Sequence, residues 1–118
     1  MGKGKILIVD DEYQGRRLLS EICECLGLEA DCAENGADAL FLLEKGPYNL
    51  IMVDYRMPMM NGVEFVTRVR RKWTSLPVIA MSADEVNDLF IKAGADLFFK
   101  KPFDYRLLET AIKTMLAD

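Results

Sequence analysis

The sequence predicts an α/β fold in which one parallel sheet carries helices on both faces. Short apolar runs rich in β-branched residues alternate along the chain with segments whose apolar residues recur at helical spacing. The strongest runs are apolar at every position, which is typical of strands buried on both sides of a parallel sheet. The chain has 118 residues, of which 51% are apolar and 29% charged, so we expect one domain spanning residues 1–118.

The first half of the chain carries three predicted strands and two predicted helices. We expect strands at residues 5–10, 29–33 and 49–54, and helices at residues 13–26 and 37–46. The second strand has polar interruptions and should lie at a sheet edge, and Gly27 is a stop signal for the first helix. The inward face of that helix should contain Leu18, Leu19, Ile22, Cys23 and Leu26.

The second half repeats the alternation. Asn61 is expected to cap a helix over residues 62–72 that exposes its basic residues, Arg68, Arg70, Arg71 and Lys72. A buried strand over residues 77–82, a short helix over residues 85–93 and a strand over residues 97–100 follow. Asp104 should cap a last helix over residues 105–117, with Leu107 among its inward residues.

This order of elements restricts the topology. Right-handed crossovers leave few arrangements for five βα units, and five strands fit the flavodoxin-like, doubly wound order 2-1-3-4-5. In that order the first, third and fourth strands are central neighbours, so Asp10, Asp11, Asp54 and Ser82 converge at their carboxyl ends, and Lys101 follows the fifth strand. Ligands of open parallel sheets bind at this edge.

The acidic residues at that edge predict a magnesium site. Three neighbouring carboxylates repel one another, and a hard divalent cation with oxygen ligands relieves the repulsion. We expect Asp11 and Asp54 to be direct ligands and Asp10 to bind directly or through water. Asp10 and Asp11 could instead only cap the next helix, but the further Asp and Lys at other strand ends favour the metal site.

Asp54 stands alone at its strand end and is a candidate nucleophile toward phosphorus, which would form an aspartyl phosphate. The Ser82 hydroxyl and the Lys101 ammonium can contact the oxygens of the transferred group. Strand alternation should direct Lys100 away from the site, and Lys101 precedes Pro102, where a cis peptide bond is accessible.

Four motifs give the chain its resemblance to a known family. In order they are Val9-Asp10-Asp11-Glu12, Asp54-Tyr55-Arg56-Met57-Pro58-Met59-Met60-Asn61-Gly62, Ser82-Ala83 and Lys101-Pro102-Phe103. Together they resemble the receiver domain of two-component response regulators over essentially the whole chain. The resemblance implies that Asp54 accepts a phosphoryl group from a phosphohistidine of a sensor histidine kinase or a histidine phosphotransfer protein. The chain has no histidine, so the donor must be another molecule.

The same resemblance assigns further roles. Mg²⁺ would be held by Asp10, Asp11, Asp54 and the backbone carbonyl of Arg56, while Ser82 and Lys101 would contact the phosphoryl group. Phe98 matches the aromatic switch position: phosphorylation would pull Ser82 toward the new charge, and Phe98 would turn into the space vacated. Phe98 could equally be an ordinary half-buried aromatic residue.

Three features depart from the family pattern. The segment from Ser82 to Lys101 is shorter than usual by about one helical turn, which predicts a shortened fourth helix. Arg56 and Asp84 flank the site, where an ion pair between them could obstruct an attacking water, or where both could be separately solvated. Asn61 stands where an acidic residue is more usual.

Other functions fit less well. A Mg²⁺-dependent phosphohydrolase with an Asp nucleophile typically has a second carboxylate two residues later, where this chain has Arg56, and a cap insertion. A flavodoxin-type carrier of a flavin nucleotide would need a phosphate-binding loop where this chain has Asp10, Asp11 and Glu12. A receiver-like module that binds partners regardless of phosphate would not need the full acidic, Ser and Lys set. We therefore expect a switch that labels itself from a phosphodonor and slowly loses the label, not an enzyme that turns over a substrate.

The composition of the chain limits the classes of partner that we expect. The net charge is −4 with no basic stripe, which argues against direct nucleic-acid binding. No apolar run approaches the ~18 residues of a membrane span, and we identify no signal peptide. Three cysteines without a CxxC pair fit a reducing cytoplasm. The downstream output protein or domain is not identified by the sequence.

Overall fold

The computed structural model describes residues 4–117 and has the predicted α/β architecture. All strand pairs are parallel, and the sheet order is β2-β1-β3-β4-β5, which confirms the flavodoxin-like prediction. The elements in chain order are β1 (Lys5–Val9), α1 (Tyr13–Cys25), β2 (Glu29–Ala33), α2 (Gly36–Lys45), β3 (Leu50–Asp54), α3 (Gly62–Arg70), β4 (Val78–Ser82), α4 (Asn87–Ala93), β5 (Leu97–Lys100) and α5 (Tyr105–Leu116).

Two apolar clusters, one on each face of the sheet, hold these layers together. Alternate residues of β1 and β3, such as Ile6 and Met52, face α1 and α5, while their neighbours Leu7 and Ile51 face α2, α3 and α4. Every residue of β3 and β4 is buried. Strands enclosed in this way are held rigidly, and so are the groups at their ends. No helix of residues 4–117 is both long and apolar enough to cross a membrane.

The helix starts agree with the capping residues expected from the sequence. The Asn61 side chain accepts from the Glu64 backbone N–H at 2.9 Å, and Glu64 accepts from the Asn61 N–H at 3.4 Å, forming a capping box. Asp104 accepts from the Arg106 N–H at 2.9 Å. The shortest of the five helices in the described part is α4, with seven residues, in agreement with the predicted shortening.

Several expectations about helix faces and ends were wrong. Leu18 and Leu107 were expected to face inward, but they are 37% and 59% exposed. The face of each helix that meets the sheet is narrow, and Leu19 and Leu108 already fill it. The third helix ends at Arg70, two residues before the predicted end, and α4 begins at Asn87, two residues after the predicted start.

Arg70 was expected to be exposed, but its side chain is only 18% exposed. Its guanidinium donates to the backbone carbonyls of Gly94, Trp73 and Leu76 at 2.9, 2.8 and 2.7 Å and forms an ion pair with Asp96 at 3.1 Å. A long arginine can reach carbonyls that helix ends leave without partners. Arg70 therefore connects the end of α3 to the segments before β4 and β5.

We predict that Arg70→Met destabilises the protein by ~1–3 kcal/mol, because it leaves these carbonyls without their donor. The free energy of unfolding in urea measures the effect. Arg71→Met is the matched control, since Arg71 is exposed, and it should change stability by less than ~0.5 kcal/mol. Equal effects of the two substitutions would contradict a structural role for Arg70.

Candidate functional site

Three polar residues lie at the carboxyl ends of the central strands. Asp10 follows β1, Asp54 ends β3 and Ser82 ends β4, and the parallel register aligns Asp54 with Met81 and Val9 with Val53. Asp10, Asp54 and Ser82 are 1%, 8% and 2% exposed, and they are the buried polar or charged residues of the described part of the chain. The structure thus brings these predicted site residues to one edge.

Asp11 joins this group and completes a cluster of carboxylates. Asp10, Asp11 and Asp54 each offer a carboxylate oxygen, and these oxygens lie within 4.8 Å of one another. Burial raises the pKa of Asp10, and the negative charges of Asp54 and Asp11 add to the increase, although a hydrogen bond from the Glu12 N–H opposes it. A set of oxygen ligands with excess negative charge fits Mg²⁺, which needs only one or two carboxylates besides other oxygens.

Lys101 reaches this cluster from the segment after β5. Its Nζ lies 2.7 Å from Asp54 Oδ1, and the peptide bond between Lys101 and Pro102 is cis. Burial alone would lower the pKa of Lys101, but the hydrogen bond and charge of Asp54 outweigh it, so the pKa is raised. The ammonium therefore stays charged beside Asp54. Lys100 instead forms an ion pair with Glu85 at 2.6 Å. The two lysines therefore contact different carboxylates, as strand alternation predicts.

Ser82 is buried at the end of β4, and its hydroxyl is engaged within its own loop. Ser82 Oγ accepts from the Asp84 N–H at 3.0 Å and lies 3.4 Å from Asp84 Oδ2. The hydroxyl is therefore near the acidic cluster but bound to the loop that precedes α4.

Arg56 and Asp84 form a two-point ion pair at the mouth of the site. Arg56 Nε lies 2.7 Å from Asp84 Oδ2, and Arg56 Nη2 lies 2.9 Å from Oδ1. The Arg56 guanidinium lowers the pKa of Asp84. Of the two arrangements that the sequence left open, the structure has the ion pair. The backbone N–H of Arg56 also donates to Asp54 Oδ2 at 3.1 Å, so Arg56 contacts both the mouth and the base of the site.

These residues surround a cavity of about 350 Å³. It is lined by Asp11, Glu12, Asp54, Arg56, Ser82, Ala83, Asp84 and Lys101. An anionic group entering it would meet the Lys101 ammonium, the Arg56 guanidinium and the Ser82 hydroxyl. The lining therefore offers carboxylates that suit a cation and donors that suit a phosphoryl group.

Phe98 is half-buried on β5 and packs against a second aromatic residue, Phe90 of α4, with ring centroids 5.8 Å apart. Phe90 is fully buried, and its ring lies 6.0 Å from that of Tyr55. A Cβ at Gly62 would overlap the Asp54 carbonyl oxygen and lie 2.8 Å from Phe90 Cζ. Phe90 thus lies between the Phe98 ring and the backbone of the loop that follows Asp54.

The sequence places Phe90 in the short helix predicted over residues 85–93 and gives it no role in the site. The available signal was the glycine at position 62, at the start of a helix, which indicates close packing against another segment. The sequence could not show that the tightly packed neighbours would be the Asp54 carbonyl and Phe90.

The fold and the site agree with a family model. The model of the response regulator receiver domain matches residues 6–113. The chain belongs to this family. It is 35% identical over 95% of its length to the transcriptional regulatory protein PcoR of Escherichia coli, and 37% identical over 97% to the probable transcriptional regulator ycf27 of Porphyra purpurea. The chain spans about half the length of these regulators, 51% and 48%.

Solved receiver structures are similar over nearly the whole chain. The response regulator TrrA of Thermotoga maritima, in complex with Mg²⁺-BeF, has a TM-score of 0.88 and 36% identity, covering 96% of this chain and 99% of that one. The chemotaxis protein CheY4 of Vibrio cholerae has a TM-score of 0.89 and 28% identity, covering 98% and 100%. This receiver domain therefore has the five-stranded fold of its family.

We predict that Asp10→Asn has opposite effects on the metal-free protein and on metal binding. With the metal chelated, it should raise the urea midpoint at neutral pH, because a buried charge beside Asp54 and Asp11 is removed. For the same reason, the wild-type protein without metal should gain stability as pH falls through the raised pKa of Asp10. Affinity for Mg²⁺ should fall by at least about tenfold.

Unfolding in EDTA and calorimetric titration with MgCl₂ measure these effects. Glu29→Gln removes an exposed carboxylate at the opposite end of the neighbouring strand and should change neither quantity. A loss of stability in Asp10→Asn without metal would show that the carboxylates do not repel one another as described.

Proposed function

We propose that this receiver domain is a phosphorylation-activated switch in which Asp54 accepts a phosphoryl group from a phosphohistidine of a sensor histidine kinase or a histidine phosphotransfer protein. The observation that carries the proposal is the position of Asp54: buried at the end of β3, within the carboxylate cluster, with Lys101 Nζ 2.7 Å from one oxygen. Family membership supports phosphorylation-dependent switching.

The proposed reaction transfers a phosphoryl group from a nitrogen atom of the donor to an oxygen atom of Asp54. A carboxylate oxygen of Asp54 would form a bond to phosphorus while the bond from phosphorus to the donor imidazole nitrogen breaks, and that nitrogen keeps the electron pair. Lys101 and Ser82 would donate to the phosphoryl oxygens; both line the cavity. Because Lys101 already pairs with Asp54, it is positioned to follow the charge from the carboxylate to the phosphoryl oxygens.

Asp10, Asp11, Asp54 and the backbone carbonyl of Arg56 would hold Mg²⁺. When bound, Mg²⁺ supplies positive charge against the oxygens of the transferring group. The three carboxylate oxygens within 4.8 Å support this assignment for the side chains. The similar protein TrrA is described as a complex with Mg²⁺-BeF, which is further support.

The switch would begin at Ser82. An aspartyl phosphate carries about two negative charges and strong acceptor oxygens, which would compete with the Asp84 carboxylate for the Ser82 hydroxyl. Movement of Ser82 would carry the loop before α4, and Phe98 would then repack. Because Phe90 packs against Phe98 and Tyr55, repacking of Phe98 would also move α4. We therefore propose the outer surfaces of α4, β5 and α5 as the region that changes.

The consequences for partners follow from family membership. Relatives are transcriptional regulators about twice as long as this chain, so we propose that the switch acts on a downstream output domain or protein. We propose no direct contact of this domain with nucleic acid or membrane, and no turnover of a separate substrate. The phosphohydrolase alternative lacks support because Arg56 takes the position of its second carboxylate. Three free thiols support a reducing, cytoplasmic location.

We predict that Asp54→Asn abolishes labelling by radioactive acetyl phosphate, because the amide is not a nucleophile toward phosphorus. Asp88→Asn, which removes an exposed carboxylate in the first turn of α4, should label like the wild type. Chelation of Mg²⁺ should reduce wild-type labelling strongly. Persistent labelling of Asp54→Asn would refute the assignment of the phosphoacceptor.

We also predict that Arg56→Asn shortens the half-life of the aspartyl phosphate several-fold. The ion pair with Asp84 lies across the mouth of the cavity, where it obstructs the path of an attacking water. Loss of radioactive phosphate from the labelled, purified protein measures the half-life. Asp84→Asn should act in the same direction, and Arg71→Asn should have no effect; an unchanged half-life in Arg56→Asn would remove the proposed obstruction.

A further inference from the structure

The mouth of the cavity holds a negative charge that no cation of the described chain pairs with. Glu12 is exposed and lines the cavity, together with the ion pair between Arg56 and Asp84. Lys101, the other cation of the lining, pairs with Asp54. In the described part of the chain, Glu12 forms no ion pair. Because the charges of Arg56 and Asp84 cancel, Glu12 leaves the mouth with a net negative charge.

Glu12 is separate from the proposed magnesium ligands, although its charge acts within the site. The carboxylate oxygens that lie within 4.8 Å of one another belong to Asp10, Asp11 and Asp54. Glu12 contacts this cluster through its backbone, whose N–H donates to Asp10 Oδ1 at 3.0 Å. Burial would lower the pKa of Lys101, but the pKa is raised by Asp54 and, to a smaller extent, by Asp10 and Glu12. The Glu12 carboxylate is therefore available to act on a molecule that enters the cavity.

The leaving group of a phosphodonor has to lie at the same mouth. In phosphoryl transfer, the attacking and leaving atoms lie roughly in line, on opposite sides of phosphorus. Asp54, the proposed nucleophile, is only 8% exposed, whereas Glu12 is exposed at the opening of the same cavity. The leaving group therefore points away from Asp54 toward the opening. There it meets the neutral ion pair and the net negative charge of Glu12.

Phosphodonors differ in the charge of their leaving group. When the ring of a phosphohistidine or the nitrogen of phosphoramidate is protonated, the bond from nitrogen to phosphorus breaks, the nitrogen keeps the electron pair, and neutral imidazole or ammonia leaves. In acetyl phosphate the bond from oxygen to phosphorus breaks, and acetate leaves as an anion. In the transition state, a nitrogen leaving group retains part of its positive charge, while an acyl leaving group has gained part of a negative charge. A nearby carboxylate stabilises the first and destabilises the second.

We propose that Glu12 is a specificity-determining residue that favours phosphodonors with a protonated nitrogen leaving group over acyl phosphates. The inference rests on the proposed function, since it concerns the donor that phosphorylates Asp54. It is carried by the position of Glu12 in the cavity lining and by the absence of an ion pair to it within the described residues. The domain would then discriminate against small acyl phosphates in favour of a phosphohistidine partner.

The test compares labelling of the purified protein by radioactive phosphoramidate and by radioactive acetyl phosphate, at neutral pH and saturating MgCl₂. Glu12→Gln should lower the ratio of the phosphoramidate rate constant to the acetyl phosphate rate constant several-fold, while a change in magnesium affinity would affect both donors and cancel in the ratio. Glu34→Gln is the matched control, because it removes an exposed carboxylate that follows β2 and lies outside the cavity lining. It should leave the ratio unchanged. An unchanged or higher ratio in Glu12→Gln overturns the inference.

A second variant, Glu12→Lys, separates the charge of the side chain from its shape. It should lower the same ratio further than Glu12→Gln does, because a cation at the mouth repels a protonated leaving group and attracts an anionic one. A ratio in Glu12→Lys that equals or exceeds that of Glu12→Gln overturns the inference. If neither donor labels Asp54 of the wild type, the proposed function fails and the inference fails with it. If both donors label Asp54 but the ratio is the same in the wild type and in Glu12→Gln, only the inference fails.

Discussion

Repulsion among three carboxylates is the constraint on which the site depends. The fold places Asp10, Asp11 and Asp54 with oxygens within 4.8 Å because two neighbouring parallel strands end at the same edge. Like charges in such a place are unfavourable unless compensated. The chain compensates in part, with the Lys101 ammonium at Asp54 and with backbone N–H groups of Glu12 and Arg56. In the proposed function, the remaining negative charge attracts a divalent cation, and the cation in turn attracts a phosphoryl group.

In the proposed switch, the sheet fixes the site residues and the loop before α4 allows movement. The strands that carry Asp10, Asp54 and Ser82 are packed between two apolar clusters, so these residues of the candidate site are held in place. The loop before α4 is held differently, by two ion pairs from consecutive acidic residues: Asp84 with Arg56, and Glu85 with Lys100. Exposed ion pairs contribute little to stability. The loop can therefore shift with Ser82, which a doubly charged phosphoryl group would attract, without disturbing the sheet.

The sequence was sufficient to predict the fold and the place of most residues of the candidate site, because both follow from short-range patterns. Apolar runs ending in Asp10, Asp54 and Ser82 locate strand ends, and the strand order then brings them together. Such patterns do not show which side chains far apart in the sequence will be in contact. The Gly94 carbonyl that Arg70 binds lies 24 residues farther along the chain. The sequence could not decide whether Arg56 forms an ion pair, because an exposed ion pair contributes little free energy.

Chemical mapping of the modified residue shows whether Asp54 is the phosphoacceptor. Phosphoramidate carries the same bond from phosphorus to nitrogen as a phosphohistidine. After the protein reacts with phosphoramidate and Mg²⁺, borohydride reduction converts an aspartyl phosphate to homoserine, which peptide mass spectrometry can locate. We predict homoserine at position 54, dependent on Mg²⁺. Homoserine at another aspartate, or none in a protein that binds Mg²⁺, would contradict it.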